Sequence, residues 1–153
     1  MKLASYKEGR DGRLMIVSGD LKTCVPAQVY TTMQQALDDW RNAAPALSKQ
    51  YKTMSGGQEF DPKKCASPLP RAYQIADGSA YLNHVELVRK ARGAEMPESF
   101  LTDPLIYQAV SDIIMGPCDP VPVASEEYGI DFEAEVAVIT DDVPMGVSAA
   151  DVA

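Results

Sequence analysis

Residues 55–70 constrain the fold more than any other stretch of this 153-residue chain. Ser55-Gly56-Gly57 is followed by Pro62, Pro68 and Pro70, and breakers at that density interrupt helices and withhold the N–H groups that an inner strand needs. Such a stretch favours extended, ladder-poor chain, so a boundary is expected near residue 70. It separates a small N-terminal α+β module, residues 1–70, from a second domain over residues 71–153.

Ahead of the boundary the pattern is β first and helical second. Lys2-Leu3-Ala4-Ser5-Tyr6 and Arg13-Leu14-Met15-Ile16-Val17 flank Lys7 to Gly12, where Gly9 and Asp11-Gly12 suit a hairpin turn. A third strand is expected at Leu21 to Val25, ending at Pro26. Thr31 or Thr32 can cap a helix with Gln34 or Gln35 three residues on, a capping-box spacing. Met33, Ala36, Leu37, Trp40, Ala44, Leu47 and Tyr51 then form one apolar stripe. Pro45 predicts a break near Ala44 and a second short helix, and Trp40 is expected to anchor the core.

Beyond the boundary, Asp77-Gly78-Ser79 opens an expected helix from Ala80 to Arg92, with Asp77 or Ser79 as its N-cap and Gly93 as its stop. Arg89, Lys90 and Arg92 fall in its last turn, where cations suit the helix dipole. Residues 94–128 read as loop-rich, with short apolar pieces at Leu105 to Gln108 and Ile113 to Met115.

Gly129 to Thr140 has the clearest strand pattern in the chain. Side chains alternate faces along a strand, and residues two apart lie about 6.6–7 Å apart on one face. Phe132, Ala134, Val136 and Val138 would share an apolar face; Asp131, Glu133 and Glu135 would share the other, continued by Ala137 and Ile139. Three neighbouring carboxylates repel one another. Water offsets that repulsion on an exposed face, and charge runs usually mean solvated faces. A hard cation offsets it where the face enters a core, as Ala137 and Ile139 suggest here. The pattern alone leaves both readings open.

Charge and composition narrow the partners. The formal charge is −8 and the pI about 4.6, which opposes binding to nucleic acid or to anionic membranes. The N-terminus carries no apolar run of signal-peptide length, and no segment has the roughly twenty apolar residues of a membrane helix. Cys24, Cys65 and Cys118 are odd in number and widely spaced, which suits reduced thiols in a cytoplasmic protein.

Several segments together resemble the fumarylacetoacetate hydrolase family. Tyr128 to Ala137, with Glu133 and Glu135 spaced E-x-E, resembles its metal-binding strand. Ala66-Ser67-Pro68-Leu69-Pro70-Arg71 is similar to the proline-bearing lead-in to its catalytic domain. Asp77 to His84 resembles the segment that carries a metal-binding aspartate and, seven residues on, a catalytic histidine. Asp103 to Gln108 is similar to the segment with a substrate-side tyrosine, and residues 1–70 to the N-terminal module of the bacterial branch.

The resemblance implies an α+β chain in which the N-terminal module precedes the incomplete start of a mixed-β catalytic domain of β-roll type. It implies a divalent metal, Mg²⁺ first with Ca²⁺ or Mn²⁺ as alternatives, held by Asp77, Glu133 and Glu135. His84 would be the base that activates water, with Tyr107, Arg92 and Ser79 on the substrate side. A histidine suits that task because its ordinary pKa lies near neutrality; on residue type alone, a lone helical histidine is more often structural. The implied reaction is cleavage of a C–C bond in a β-diketone or acylpyruvate such as fumarylacetoacetate, in aromatic or tyrosine catabolism. Decarboxylases, isomerases and hydratases of oxo acids also belong to the family, which is usually dimeric.

Family chains continue past the E-x-E strand and there supply a further metal-ligand aspartate, a lysine beside the metal and the carboxylate that orients the histidine. Gln108 to Ser111 also replaces expected glycines, and Ile75 and Tyr128 stand where related bacterial sequences have tryptophan. The 153-residue chain alone is therefore expected to be a poor hydrolase or none. The competing expectation is a non-catalytic remnant that depends on a partner or on the remaining C-terminal part.

Overall fold

A computed structural model of the chain describes residues 1–103 and 105–151; Pro104, Val152, Ala153 and the side chain of Tyr128 lie outside the described residues. The described residues mix helices with two small sheets in an α+β arrangement. They fall into two compact units, residues 1–70 with 115–153 and residues 71–114.

The first unit is built on a four-stranded antiparallel sheet in the order β1-β2-β3-β4, comprising Lys2–Tyr6, Arg13–Val17, Thr23–Pro26 and Gln58–Glu59. The expected hairpin is present, with Leu3 opposite Ile16 and Ser5 opposite Leu14. Its turn needs glycine at Gly12, where φ is +73° and a Cβ would come within 2.9 Å of the Ser5 Cβ. Strand β2 alternates between two apolar surfaces. Leu14 and Ile16 point into a cluster with Ala27, Met33, Ala36, Ala43 and Leu47. Met15 and Val17 pack with Cys24 on the other face, against Tyr6 and Phe60. Burial on both faces explains why β2 reads as a continuous apolar run.

Helices α1 (Met33–Asp38) and α2 (Trp40–Thr53) cover the first face. Thr32 caps α1 by accepting from the Gln35 N–H at 3.1 Å, while the Gln35 side chain accepts from the Thr31 N–H. The helix breaks at Asp39 rather than near Ala44, and α2 runs through Pro45. The proline ring would clash with the carbonyl four residues back, which is that of Arg41 in the first turn of α2. A break just upstream leaves that turn free to adjust. Trp40 packs only partly buried at the cluster's edge; the largest fully enclosed side chains of that cluster are Leu14, Ile16 and Leu47.

The proline-rich connector holds more order than its composition predicts. Gly56 and Gly57, both at positive φ, redirect the chain after α2. Gln58–Glu59 then pairs with β3, and Tyr6 bridges to Cys65 beyond a 3-10 turn at Pro62–Lys64. Ser67 is buried, and its hydroxyl has no hydrogen-bond partner among the described residues.

The expected strand over Gly129 to Thr140 is absent: the described residues 129–144 carry no regular secondary structure. A strand exists only where its backbone groups meet a partner ladder, and here the described residues supply none. Ala137 and Ile139 are exposed, so the acidic side does not run into a core, and Phe132 and Val136 are over nine-tenths exposed.

The second unit holds β5 (Ile75–Gly78), α3 (Leu82–Ala91), a 3-10 turn at Glu98–Leu101 and β6 (Ile106–Ala109). Strands β5 and β6 pair antiparallel, and Val85 and Phe100 are its buried apolar side chains among the described residues. Neither Asp77 nor Ser79 caps α3. Asp77 is committed to β5, and Tyr81 takes the N-cap position without a side-chain bond.

Candidate active site

The β5–β6 ribbon sets candidate residues side by side. Asp77 stands opposite Tyr107 and Ile75 opposite Ala109. Residues directly opposite in an antiparallel pair project from the same face, with Cβ atoms about 4.5–5.5 Å apart. Both Asp77 and Tyr107 are exposed. One step on, the Ser79 N–H donates to the Leu105 carbonyl at 2.9 Å and extends the ribbon past its last paired residues.

His84 lies in the first turn of α3, half-buried beside the buried Val85. Arg92 closes the same helix as its C-cap, its backbone N–H bonded to the Val88 and Arg89 carbonyls at 3.1 Å and its side chain at the surface. A cavity of about 310 Å³ opens between the end of β5 and the 98–105 segment; Ser79, Leu82, Phe100 and Leu105 are among its lining residues. Sequence reasoning passed over its apolar wall because residues 94–128 read as loop. The available signal was Phe100-Leu101, two large apolar residues in otherwise polar surroundings.

Glu133 and Glu135 belong to the other compact unit, on the exposed segment without strand structure. Their neighbour Asp131 accepts from the Phe132 N–H at 2.9 Å. The donor types fit a hard divalent cation, since Asp77, Glu133 and Glu135 all offer carboxylate oxygens. Among the described residues, however, no group of three or more His, Cys, Asp or Glu side chains is assembled to hold a metal ion.

Comparison with known proteins gives a consistent result across the chain. Residues 1–71 match the family model described as fumarylacetoacetase N-terminal domain 2, and residues 74–153 match the one described as fumarylacetoacetate (FAA) hydrolase C-terminal. No curated protein matches the chain closely. Domains of the second kind are generally metal-dependent, which supports a divalent metal as cofactor, and they occur in hydrolases, isomerases and decarboxylases. With both models matched in order over nearly all of its length, the chain belongs to the fumarylacetoacetate hydrolase family.

Proposed function

We propose that this chain carries the catalytic elements of a metal-dependent hydrolase that cleaves a C–C bond in a β-diketone or acylpyruvate, acting in the cytoplasm on small oxo acids. The observation that carries the reading is the register of β5 and β6. It brings Asp77, a candidate metal ligand, to the same ribbon face as Tyr107, a candidate substrate contact.

Asp77, Glu133 and Glu135 would hold the cation, with Mg²⁺ first and Mn²⁺ or Ca²⁺ as alternatives. Bound there, a divalent ion supplies Lewis-acid polarisation of the substrate's oxygens. His84 takes a proton from water at an imidazole nitrogen, raising the water's nucleophilicity toward the carbonyl. Tyr107 offers a phenol O–H, Arg92 a guanidinium for a substrate carboxylate, and Ser79 a hydroxyl at the rim of the cavity. The functional unit would be a homodimer.

Calorimetry with Mg²⁺ and Mn²⁺ on the wild type, Glu133→Ala and Asp77→Ala tests the ligand assignment; equal heats from all three proteins sink it. Acylpyruvate turnover with added Mg²⁺, expected to be weak for this chain alone and lost in His84→Gln, tests the chemistry. A second reading, a partner-dependent module without activity of its own, is favoured by the exposure of Phe132, Val136 and Val138 beside the acidic residues. Metal binding without turnover supports that reading over the first.

A further inference from the structure

Two cysteines flank residues 71–114, Cys65 ahead of the point where the chain leaves the first unit and Cys118 after the point where it returns. The chain departs after Pro70, five residues beyond Cys65, and comes back at Met115. The returning segment makes a turn, Gly116-Pro117-Cys118-Asp119, closed by the Asp119 N–H on the Gly116 carbonyl at 3.2 Å. This turn lies on the Cys65 backbone. A Cβ at Gly116 would fall 2.4 Å from the Cys65 carbonyl oxygen and 3.3 Å from the Ala66 Cα, so the contact admits only glycine.

Further bonds fasten the same seam. The Asp119 carboxylate accepts from the Gly116 N–H at 2.8 Å and pairs with the Lys7 ammonium. The Lys7 backbone N–H in turn donates to the Lys64 carbonyl at 2.8 Å, next to Cys65. Cys118 is exposed and Cys65 is buried, with about 5% of its surface open. The Cys65 thiol is pushed up by burial first, then by the neighbouring Cys24 and Cys118 thiols, whose charges reach it. Cys24 is fully buried, its sulfur held at 3.2 Å from the Tyr6 hydroxyl.

We propose that Cys118 and Cys65 are a peroxide-responsive thiol pair that closes to a disulfide across this seam. Exposed Cys118 meets the oxidant first. Its thiolate attacks one oxygen of hydrogen peroxide, the O–O bond breaks, and the departing hydroxide takes up a proton to leave as water. The Cys65 sulfur then attacks the Cys118 sulfenic acid. The S–O bond breaks, and its hydroxyl leaves with the Cys65 proton as a second water. Two thiols and one peroxide become one disulfide and two waters. The bond closes a loop containing all of residues 71–114, and with them Asp77, His84 and Tyr107. Tying the two ends of that segment together reduces the freedom of its unfolded chain.

Tryptic cleavage separates the three cysteines into the peptides Thr23–Arg41, Cys65–Arg71 and Gly93–Ala153. The reduced full-length protein is treated with hydrogen peroxide, its free thiols are alkylated, and the monomer is digested and mass-mapped. The expected product is a linked Cys65–Arg71 and Gly93–Ala153 pair, formed without dimerisation, absent in Cys118→Ser and released by dithiothreitol. A rise in the melting temperature of the oxidised wild type, not seen with Cys118→Ser, accompanies it. Over-oxidised Cys118 beside an alkylated Cys65 overturns the proposal, as does a link between Cys24 and Cys65 or a disulfide between two chains through Cys118.

Discussion

Asp77 and Tyr107 stand directly opposite each other across the β5–β6 ribbon, an aspartate facing an aromatic in a pair of four-residue strands. Aspartate is among the residues least suited to a strand, and a two-stranded ribbon has little stability to spare. Replacement of Asp77 by threonine should therefore stabilise the protein by up to about 1 kcal/mol, while weakening Mn²⁺ binding. Urea unfolding and calorimetry on the same variant check the two halves. A variant that loses stability and keeps its metal affinity would contradict the ligand role of Asp77.

Gly9 and Gly12 separate backbone strain from steric clash within one hairpin. Both have positive φ, +66° and +73°. A Cβ at Gly9 meets open space, whereas one at Gly12 meets Ser5 and the Tyr6 carbonyl. Gly9→Ala should cost about 1 kcal/mol, the ordinary penalty of the left-handed region for an L-residue. Gly12→Ala adds the clash and should cost clearly more, about 2–4 kcal/mol. Equal unfolding free energies for the two variants would refute the distinction.

The Tyr6 phenol is pushed up to about 12, chiefly by burial and then by its hydrogen bond with Cys24. A raised native value means that the unfolded chain loses this proton first. The contribution is fully present below about pH 10, the ordinary tyrosine value, and is lost as pH rises toward 12. In Tyr6→Phe the fall in urea midpoint across this alkaline window should be shallower than in the wild type. At neutral pH the same variant should be destabilised by about 1–3 kcal/mol, because the Asp61 N–H that donates to Tyr6 at 3.1 Å loses its acceptor. Parallel alkaline slopes would disprove the assignment.

Ser67 gives the opposite expectation for a buried polar group. Its hydroxyl is enclosed without a hydrogen-bond partner among the described residues, so Ser67→Ala removes an unrewarded desolvation and should leave stability unchanged or raise it by about 1–2 kcal/mol. A loss of that size, measured by thermal or urea unfolding, would reveal an interaction that the hydroxyl makes.

The local rules were legible where neighbours in sequence settle the geometry. The β1–β2 hairpin follows from alternation and two glycines, and the start of α1 from Thr32 and Gln35. Failures came where distant chain decides. Near Pro45, where the local rule predicted a break, α2 runs on and the break falls at Asp39, as the helices pack on the sheet. Ile75 to Gly78 became a strand only because Ile106 to Ala109 lies beside it, and no local pattern announces that partner. For Asp131 to Glu135 the period was visible, but a period does not supply a ladder. The E-x-E spacing and the order of Asp77, His84 and Tyr107 were legible as family features; the facing of Asp77 and Tyr107 needed three dimensions.

The exposed stretch from Asp131 to Ile139 also bears on how this protein behaves in concentrated solution. Phe132, Val136 and Val138 offer an adhesive apolar surface, and Asp131, Glu133 and Glu135 are interleaved with it as gatekeepers. Mutual repulsion between copies keeps such segments from stacking while the carboxylates are charged. Acid that titrates them, or a cation that neutralises them, lifts that repulsion and exposes the same residues to self-association. The carboxylates proposed to hold a metal would thus also hold copies of the segment apart.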